Sequence, residues 1–518
     1  MDNNERLEGH KVVTAHEMQR IEGMAFASGS SEEQFMDNAG KAIAAIVEEY
    51  IEENEIARSV TLLVGKGNNG GDAYVAGCYL IDKGFAVQAL HVYSLDACGP
   101  LCQKMSEGFV RKGGRIKFVH TEKKLSFGTE GIILDGLVGT GFHGMPDGPL
   151  ASAIEAANAS ELPIIAIDIP SGLCGNSGKI ESVAINAEMT IYLGCPKWGF
   201  FVEDGWNHVG DLVYADFGLP KKFISNADAI AYLVGEGGLA HLVPKIKRTR
   251  HKYDAGYVIG IAGSPGMPGA AILSSYSTLR TGAGIVRLFH PYGMEAELSG
   301  APYELVREGW NLSDNERIFA ECKRADAVFM GPGLGREKRV KNMLKSILQG
   351  ILLPCVLDAD ALYFLAEHPS WQLPAQCILT PHRKEMARLL GMESLSQGEK
   401  PWIEACQEYA EKKGTTVVLK GAPTFLFHPK TKPLIITRGD PGMATAGTGD
   451  VLTGMIAALC AQKLSCRQAA ALGVALHGMA GEAAASEMTS YSMTASDVME
   501  AIPEAYLKID RALYPQEV

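Results

Sequence analysis

A loop of small residues followed by a long apolar run stands late in the chain. The loop reads TAGTGD over residues 445–450, and the run reads VLTGMIAAL over residues 451–459. Small residues permit a tight turn, and the apolar run predicts a buried helix whose first N–H groups point into the loop. A loop of this kind binds anions. Asp450 is the last residue of this loop, and its carboxylate suits a base that takes a proton from a hydroxyl beside a phosphoryl group. An acidic helix N-cap is the alternative interpretation.

The composition indicates a globular protein with more than one domain. A chain of 518 residues is too long for one ordinary core and predicts two to four domains. The net charge is −12 and no basic block stands out, which argues against a nucleic-acid partner. The 11 cysteines are scattered without paired CxxC elements, which is typical of a reduced, cytoplasmic protein. Neither a secretory signal nor a membrane-spanning run is predicted, so we expect no membrane partner.

A second glycine loop follows an apolar strand in the first half. Residues 60–64 read VTLLV, and residues 65–72 read GKGNNGGD. The loop fits GxGxxG, but the next strand, FAVQALHV at 85–92, lacks the terminal acid of a dinucleotide site. We therefore reject a standard Rossmann dinucleotide site. Asn68, Asn69 and Asp72 can instead hold polar ligand atoms or a cation, and a plain Asx-rich turn is the alternative.

Two further predicted strands also end in polar loops. Residues 132–134 lead into Asp135, and residues 163–167 lead into Asp168. Parallel sheets place ligands at the carboxyl ends of their strands. We therefore expect one crevice to hold the polar side chains of these loops, namely Asn69, Asp72, Asp135, Asp168 and Ser171. Their oxygen atoms suit a hard cation. His143 has no partner at metal-ligand spacing, and by itself it is interpreted as a surface-loop residue.

Several phrases of this half resemble the NAD(P)HX epimerase family. They are GKGNNGGD (65–72), LDGLVGTG (134–141), AIDIPSG (166–172) and HVGDLVYADFGLP (208–220). The resemblance covers residues 1–225. It implies a Rossmann-like, three-layer α/β/α fold, hydrated NADH or NADPH as the substrate, and a bound potassium ion, K⁺.

The same resemblance implies roles for individual residues. Asn69, Asp135 and Ser171 would bind the ion, and Asp168 would act at the reacting end of the substrate. The implied substrate contacts also include Asn68, Asn69, Gly70, Gly71, Asp72, Gly139, Thr140, Gly141, Phe142, His143, Gly144 and Met145. Ala73 stands where relatives often have a second glycine, and its methyl group is expected to narrow the loop slightly.

Strand, loop and helix patterns begin again in the second half. Periodicity is lost around residues 221–236, and the basic run KIKRTRHK follows at 245–252. We therefore predict domains of 1–225 and 226–518, the second also α/β. Its strand ends read GPGLG (331–335), DADA (358–361), TPH (380–382) and KGAPT (420–424). Together with the loop at 445–450 they compose a phosphate-handling crevice, which is not a P-loop because no Walker lysine motif occurs.

Phrases of this half resemble the ADP/ATP-dependent NAD(P)HX dehydratase family, which has the ribokinase-like fold. They include HKYDAGYV (251–258), GSPGMPGAA (263–271), LDADAL (357–362), LTPH (379–382), VVLKGAPT (417–424) and PGMATAGTGDVLTG (441–454). The resemblance implies that Asp450 meets the reacting hydroxyl. It further implies contacts of the hydrated nucleotide with Ala270, Gly333 and His382, and of the adenine nucleotide with Lys420, Gly421, Ala422, Pro423, Thr424 and Gly449. Mg²⁺ would accompany ADP. Arg383-Lys384 replaces the Pro-Gly that usually follows the histidine.

Both resemblances together predict a bifunctional enzyme, an isomerase and a lyase that repair one substrate. The first domain would interconvert the R and S epimers of hydrated NADH or NADPH. The second would remove water from the S epimer at the expense of ADP or ATP. A ribokinase-type small-molecule kinase and a catalytically idle scaffold are the alternatives. We expect a cytoplasmic homo-oligomer.

Overall fold

The computed structural model describes residues 7–119, 125, 127–142, 144–395 and 401–511. The chain divides into two compact units. The first is His10–Ile230, and the second comprises the described part of Met1–Gly9 together with that of Ala231–Val518. All 11 cysteines are free. Within the described ranges, no helix has the length and apolarity needed to cross a bilayer.

The first unit is built on a parallel sheet. Its elements are β1 (His10–Val12), α1 (Ala15–Ala27), α2 (Glu32–Glu53), β2 (Ser59–Val64), α3 (Asn68–Asp82), β3 (Ala86–His91), α4 (Pro100–Arg111), β4 (Arg115–Phe118), β5 (Ile132–Gly136), α5 (Gly148–Asn158), β6 (Ile164–Ile167), β7 (Met189–Leu193), β8 (Asp211–Ala215) and α6 (Lys221–Ser225). The sheet order is β4-β3-β2-β5-β6-β7-β8, with parallel neighbours throughout.

Side chains that alternate along the strands supply a core on each face of this sheet. Leu62 and Leu134 pack into a core with α2, α3 and α4, whereas Leu63 and Ile133 pack into another with α5. Such two-sided burial explains why the strands read as continuous apolar runs. Helices therefore cover both faces, which agrees with the predicted three-layer arrangement.

Local capping fixes where the first helices begin. The Thr14 hydroxyl accepts a hydrogen bond from the Glu17 amide at 3.0 Å, and Ser31 does the same for Gln34 at 3.3 Å. Both caps follow from the sequence spacing. On α1 the spacing also predicts that Met24 shares the buried face, but this side chain is 42% exposed.

The second unit also has a mainly parallel sheet. Its elements are β9 (Ala231–Leu233), α7 (Glu236–Ala240), β10 (Tyr257–Ile261), α8 (Pro268–Arg280), β11 (Ile285–Pro291), β12 (Val306–Trp310), α9 (Glu316–Cys322), β13 (Ala327–Met330), α10 (Lys338–Gly350), β14 (Cys355–Leu357), α11 (Asp360–Glu367), β15 (Cys377–Leu379), α12 (Arg383–Leu389), α13 (Trp402–Lys413), β16 (Thr416–Leu419), β17 (Thr424–Phe427), β18 (Leu434–Ile436), α14 (Thr448–Ala461), α15 (Cys466–Met488), α16 (Ala495–Glu500) and α17 (Ile502–Arg511). Two α/β units confirm the predicted fold class.

The strands of the second unit lie in the order β9-β18-β17-β16-β15-β14-β13-β10-β11-β12. Only β17 is antiparallel to its neighbours β16 and β18 within the described pairings. The apolar run at 451–459 forms the buried helix α14 that the sequence predicts. It packs against α8 in the core of this unit, and Gly454 brings the two helices close together because a Cβ there would overlap the Ser274 carbonyl oxygen.

Gly454→Ala tests this close packing. We expect a loss of about 1–3 kcal/mol in the free energy of unfolding, because the added methyl group must push α14 away from α8. Calorimetric unfolding of the full chain measures the loss. Gly237→Ala on α7 is the matched control, because nothing lies within 4 Å of its added Cβ. Equal stability of the two variants would contradict the packing described.

Candidate functional site

A cavity of about 690 Å³ opens at the carboxyl ends of β2 and β5 in the first unit. The strand order reverses between these two strands, and this is where α/β sheets bind their ligands. The lining includes Asn68, Asn69, Asp72, Gly139, Thr140, Gly141, Phe142 and Asp168 from the set singled out in the sequence, together with Gln19 and Glu22. The structure therefore brings most of the predicted substrate contacts together.

The remaining predicted contacts of this unit lie elsewhere. Gly70 and Gly71 are buried in the first turn of α3, where a Cβ on Gly71 would lie 2.6 Å from the Met36 side chain. The lack of a side chain at these two glycines thus allows close packing of α3 against its neighbours. Met145 is 60% exposed, and neither it nor Gly144 is among the described residues that line the cavity. His143 lies outside the described residues.

The three predicted cation ligands share one hydrogen-bond network. The Ser171 hydroxyl donates to Asp135 Oδ1 at 2.7 Å, and the Ser171 amide donates to Oδ2 at 2.8 Å. The Asn69 amide nitrogen donates to the Val138 carbonyl oxygen at 3.1 Å, and the Val138 amide donates to the Ser171 hydroxyl at 3.0 Å. Asn69, Asp135 and Ser171 therefore meet around Val138.

The Asp135 carboxylate is fully buried within this network. Burial raises its pKa to about 6, although hydrogen bonds from Ser171 and the Leu137 amide oppose the rise. All of these donors are neutral, so they do not replace the hydration of a charged carboxylate in full. Part of the free-energy cost of burying this carboxylate therefore remains uncompensated by these contacts.

Both contacts that hold the Asp168 carboxylate among the described residues are made by one of its oxygens, Oδ1. Its backbone has a φ of +63°, which is rare for a residue with a Cβ and marks a constrained position. The Leu193 amide donates to Oδ1 at 3.1 Å, and the buried Lys197 ammonium forms an ion pair with the same oxygen. Among the described residues, no hydrogen bond occupies Oδ2. That oxygen is consequently available to a ligand in the cavity.

Lys197 is a residue that the sequence interpretation missed. Its side chain is 0% exposed, and the ammonium also donates to the Leu193 carbonyl oxygen at 3.1 Å. It follows the end of β7, so the strand-end rule applied to residues 189–193 would have pointed to it.

The second unit has a comparable ion pair, between the buried Asp358 and the partly exposed Lys420. Lys420 Nζ donates to Asp358 Oδ1 at 2.8 Å, and the Thr453 hydroxyl donates to Oδ2 at 2.8 Å. Lys420 stands at the end of β16 and Asp358 at the end of β14. A Cβ on Gly449 would lie 3.2 Å from Lys420 Nζ, so the start of α14 is close to this pair. Asp358 occurs in a phrase quoted from the sequence, but no role was predicted for it.

The loop before α14 turns sharply into the helix. Gly447 has a φ of +97° and occupies the N-cap, which favours glycine. The Thr448 hydroxyl donates to the carbonyl oxygens of Met443 and Thr445, both at 3.0 Å. Asp450 lies in the first turn of α14, and α14 has no side-chain cap. The alternative interpretation of Asp450 as an N-cap is therefore wrong.

Asp450 has an environment suited to proton transfer. Burial and, to a smaller extent, the nearby Asp358 carboxylate raise the pKa of Asp450, Lys420 opposes the rise, and the pKa lies at about 7. A carboxyl with a pKa near neutral can both accept and release a proton under working conditions.

His382 lies beside this group because it bridges to Lys420 in the sheet. Its Nδ1 accepts hydrogen bonds from the amides of Lys384 at 3.1 Å and Glu385 at 3.4 Å, so His382 caps α12. In the neutral ring this places the proton on Nε2, which lies 3.5 Å from Glu385 Oε2. Arg383 and Lys384, which replace the Pro-Gly usual in the family, are the first two residues of this capped helix.

The other predicted contacts fall on neighbouring loops. A Cβ on Gly333 would lie 3.0 Å from the Ala270 Cβ, so these two residues are adjacent. The Ser264 hydroxyl donates to the Gly333 carbonyl oxygen at 2.7 Å and fixes this loop. The segment from Gly421 to Thr424 continues from Lys420, and its Thr424 hydroxyl donates to the Gly421 carbonyl oxygen at 2.9 Å.

The raised pKa of Asp450 predicts a pH-dependent stability. Since the folded pKa of about 7 exceeds the usual 3.8, the folded state retains a proton that the unfolded state releases, and stability falls as the pH rises through this window. The amide of Asp450→Asn does not titrate, so the variant does not lose stability in this way as the pH rises. Its stability advantage over the parent should grow by about 2 kcal/mol between about pH 5 and about pH 8.

Urea unfolding at the two pH values measures this advantage. Asp510→Asn on α17 is the control, because Asp510 is exposed. An Asp450→Asn advantage that stays constant with pH would contradict the environment described for Asp450.

Known proteins resemble both units. The profile of the YjeF-related protein N-terminus matches residues 32–199, and that of NAD(P)H-hydrate dehydratase matches residues 258–504. The bifunctional NAD(P)H-hydrate repair enzyme of Moorella thermoacetica is 32% identical over 512 residues, which span 95% of this chain and 96% of that protein. The enzyme of the same description from Escherichia coli is 33% identical over 450 residues, which span 86% and 84%.

One solved structure is similar to about half of the chain. The ADP/ATP-dependent NAD(P)H-hydrate dehydratase from Bacillus subtilis, co-crystallised with ATP/Mg²⁺, has a TM-score of 0.45 and 26% identity, over 53% of this chain and 97% of that chain. The sequence relatives extend over nearly the whole length of both proteins. The chain therefore belongs to the family of bifunctional NAD(P)H-hydrate repair enzymes.

Proposed function

We propose that the second unit removes water from the S epimer of hydrated NADH or NADPH, and that the first unit interconverts its R and S epimers. The observation that carries this proposal is the position of Asp450. It stands in the first turn of α14 beside Lys420, with a pKa of about 7. A proton acceptor at an anion-binding helix terminus suits phosphoryl transfer to a hydroxyl group.

In the second unit, Asp450 takes the proton of the C6 hydroxyl as its oxygen bonds to the terminal phosphorus of ADP. The bond from that phosphorus to AMP breaks, and AMP leaves. The phosphate then departs from C6 with its oxygen, the adjacent carbon loses a proton, and the ring double bond returns. Lys420 and the first amides of α14 stabilise the negative charge on the phosphoryl group.

Magnesium suits the adenine nucleotide in this unit. The described residues contain no group of three or more His, Cys, Asp or Glu side chains that would hold a metal by themselves. Magnesium in nucleotide sites is held chiefly by phosphates and water, with one or two carboxylates. Asp450 and Asp360 are carboxylates near the loop, and Asp360 already accepts hydrogen bonds from the Gly335 amide and from Arg336. The ion neutralises phosphate charge when it is bound.

In the first unit, potassium suits the network of Asn69, Asp135 and Ser171. Its donors are amide, carboxylate and hydroxyl oxygens together with the Val138 carbonyl oxygen. Magnesium requires a near-ideal octahedron and retains water, whereas this mixed set around one carboxylate suits a larger monovalent ion. Asp168 presents Oδ2 to the reacting end of the substrate. A cytoplasmic location, ADP as the donor and a homo-oligomeric state remain predictions.

Reciprocal variants test the two activities. Asp450→Asn preserves shape but cannot accept the hydroxyl proton, so dehydration should fall by about 10²–10⁴-fold while epimerisation continues. Asp168→Asn should reduce epimerisation and leave dehydration of the S epimer intact. Asparagine is preferred to alanine at Asp168, because it retains an oxygen for the buried Lys197. Chromatographic assay of each epimer measures both rates.

The assay includes the exposed Asp510→Asn as a control for the loss of one carboxylate. Consumption of the S epimer at the parental rate by Asp450→Asn would refute the assignment of the second site. Parental interconversion of the epimers by Asp168→Asn would refute that of the first.

Asp135→Ala tests the potassium site. It should abolish potassium binding and weaken substrate binding while the unit stays folded, since the network loses its only negative charge. An anomalous difference map from crystals grown in potassium locates the ion. A map without a peak between Asn69, Asp135 and Ser171 in the parent, with epimerisation intact in potassium-free buffer, would reject this site.

A further inference from the structure

Helix α1 presents a face to the cavity of the first unit. Gln19, Glu22 and Phe26 follow the spacing of one helical face, and all three line the cavity. Met18, Ile21 and Ala25 are buried on a different face in the core. This division directs the Glu22 carboxyl into the space where the substrate is proposed to bind.

Glu22 faces a set of ionisable groups that come from other elements. The charges of Asp168 and Lys197 shift the pKa of Glu22, and the charge of Glu22 in turn shifts the pKa values of Asp72 and Cys195. Lys197 is already paired with Asp168 Oδ1 and donates to the Leu193 carbonyl oxygen. Among the described residues, no hydrogen bond or ion pair holds the Glu22 carboxyl. It is thus a carboxyl group without an assigned structural role.

Burial and, to a smaller extent, the Asp168 carboxylate raise the pKa of Glu22, Lys197 opposes the rise, and the pKa lies at about 7. Glu22 can therefore hold a proton at neutral pH and still release it. Burial raises the pKa of Asp72 well above its ordinary value, with repulsion from Asp168 and Glu22 acting in the same direction.

We propose that Glu22 is the general acid of the epimerisation, acting with Asp168 as the general base. This inference rests on the proposed function of the first unit. Two carboxyl groups that line one cavity, one placed to donate a proton and the other to accept one, meet the needs of a reaction in which one proton leaves and another arrives.

The step balances without a further reactant. Asp168 takes the proton of the C6 hydroxyl, the C6 oxygen forms a carbonyl, and the bond from C6 to the ring nitrogen breaks. The electron pair of that bond goes to the nitrogen, which takes a proton from Glu22. The opened aldehyde turns about its bond to the ring carbon beside it. The nitrogen then attacks the other face of the carbonyl, returns its proton to Glu22, and the oxygen regains a proton from Asp168.

The test compares Glu22→Gln, Glu22→Asp and the exposed control Glu53→Gln. Conversion of the R to the S epimer is followed over a range of pH, with the uncatalysed rate subtracted. Glu22→Gln should slow this conversion at least about 100-fold, because the amide cannot donate the required proton. Dehydration of the S epimer by the same protein should not change. Glu22→Asp should retain part of the rate, and Glu53→Gln all of it.

The pH profile separates a proton donor from a merely structural residue. In the parent, kcat/KM should fall as the pH rises through about 7, because Glu22 loses the proton that it must donate. This fall should vanish in the residual activity of Glu22→Gln. A parental profile that is flat across pH 7, or a near-parental rate in Glu22→Gln, would overturn the proposal. If Glu22→Gln fails to fold, the parental profile and Glu22→Asp decide. A parent that does not epimerise would refute the proposed function instead.

Discussion

The burial of several carboxyl groups beside a single lysine is the constraint on which both sites depend. In the first unit Lys197 is paired with Asp168, and in the second Lys420 is paired with Asp358. One ammonium can neutralise one carboxylate, so the neighbouring acids are left in a poorly hydrated space. Glu22 and Asp450 each have a pKa of about 7 as a result. Each unit thus combines a fixed ion pair with an adjacent acid that can exchange a proton.

Parallel sheets make this arrangement possible. The carboxyl ends of β2, β5, β6 and β7 carry Asn69, Asp135, Asp168 and Lys197 to one edge of the first sheet. In the second, β14 and β16 deliver Asp358 and Lys420, while α14 brings Asp450. The strands behind these loops are buried on both faces, so the loops are held by a rigid layer. The acids therefore lie close together although they are distant in the sequence.

Much of this could be predicted from the sequence because the information is local. The caps at Thr14 and Ser31 follow from short spacings, and glycine loops behind apolar strands identify the strand ends. The meeting of Asn69, Asp135 and Ser171 around Val138 follows from the strand-end rule applied three times.

The rest depends on packing between distant elements. Glu22 lies on a helix, and its sequence context is that of an ordinary charged surface. Only the way α1 packs turns it into the cavity while leaving Met24 42% exposed. The strand-end rule points to Lys197, but no local pattern indicates that it pairs with a residue 29 positions earlier in the chain. The position of Asp450 within the first turn, rather than at the cap, likewise depends on the conformation of Gly447.

The most direct test of a two-site repair enzyme is product analysis with the parent chain. An equal mixture of the R and S epimers of hydrated NADH is incubated with ADP, magnesium and potassium. For a two-site repair enzyme, the absorbance of reduced nicotinamide should return for the whole mixture, faster than the uncatalysed interconversion allows. One AMP and one phosphate should appear for each molecule restored. A phosphorylated nicotinamide nucleotide that accumulates and persists, without recovery of that absorbance, would contradict the account and indicate a kinase.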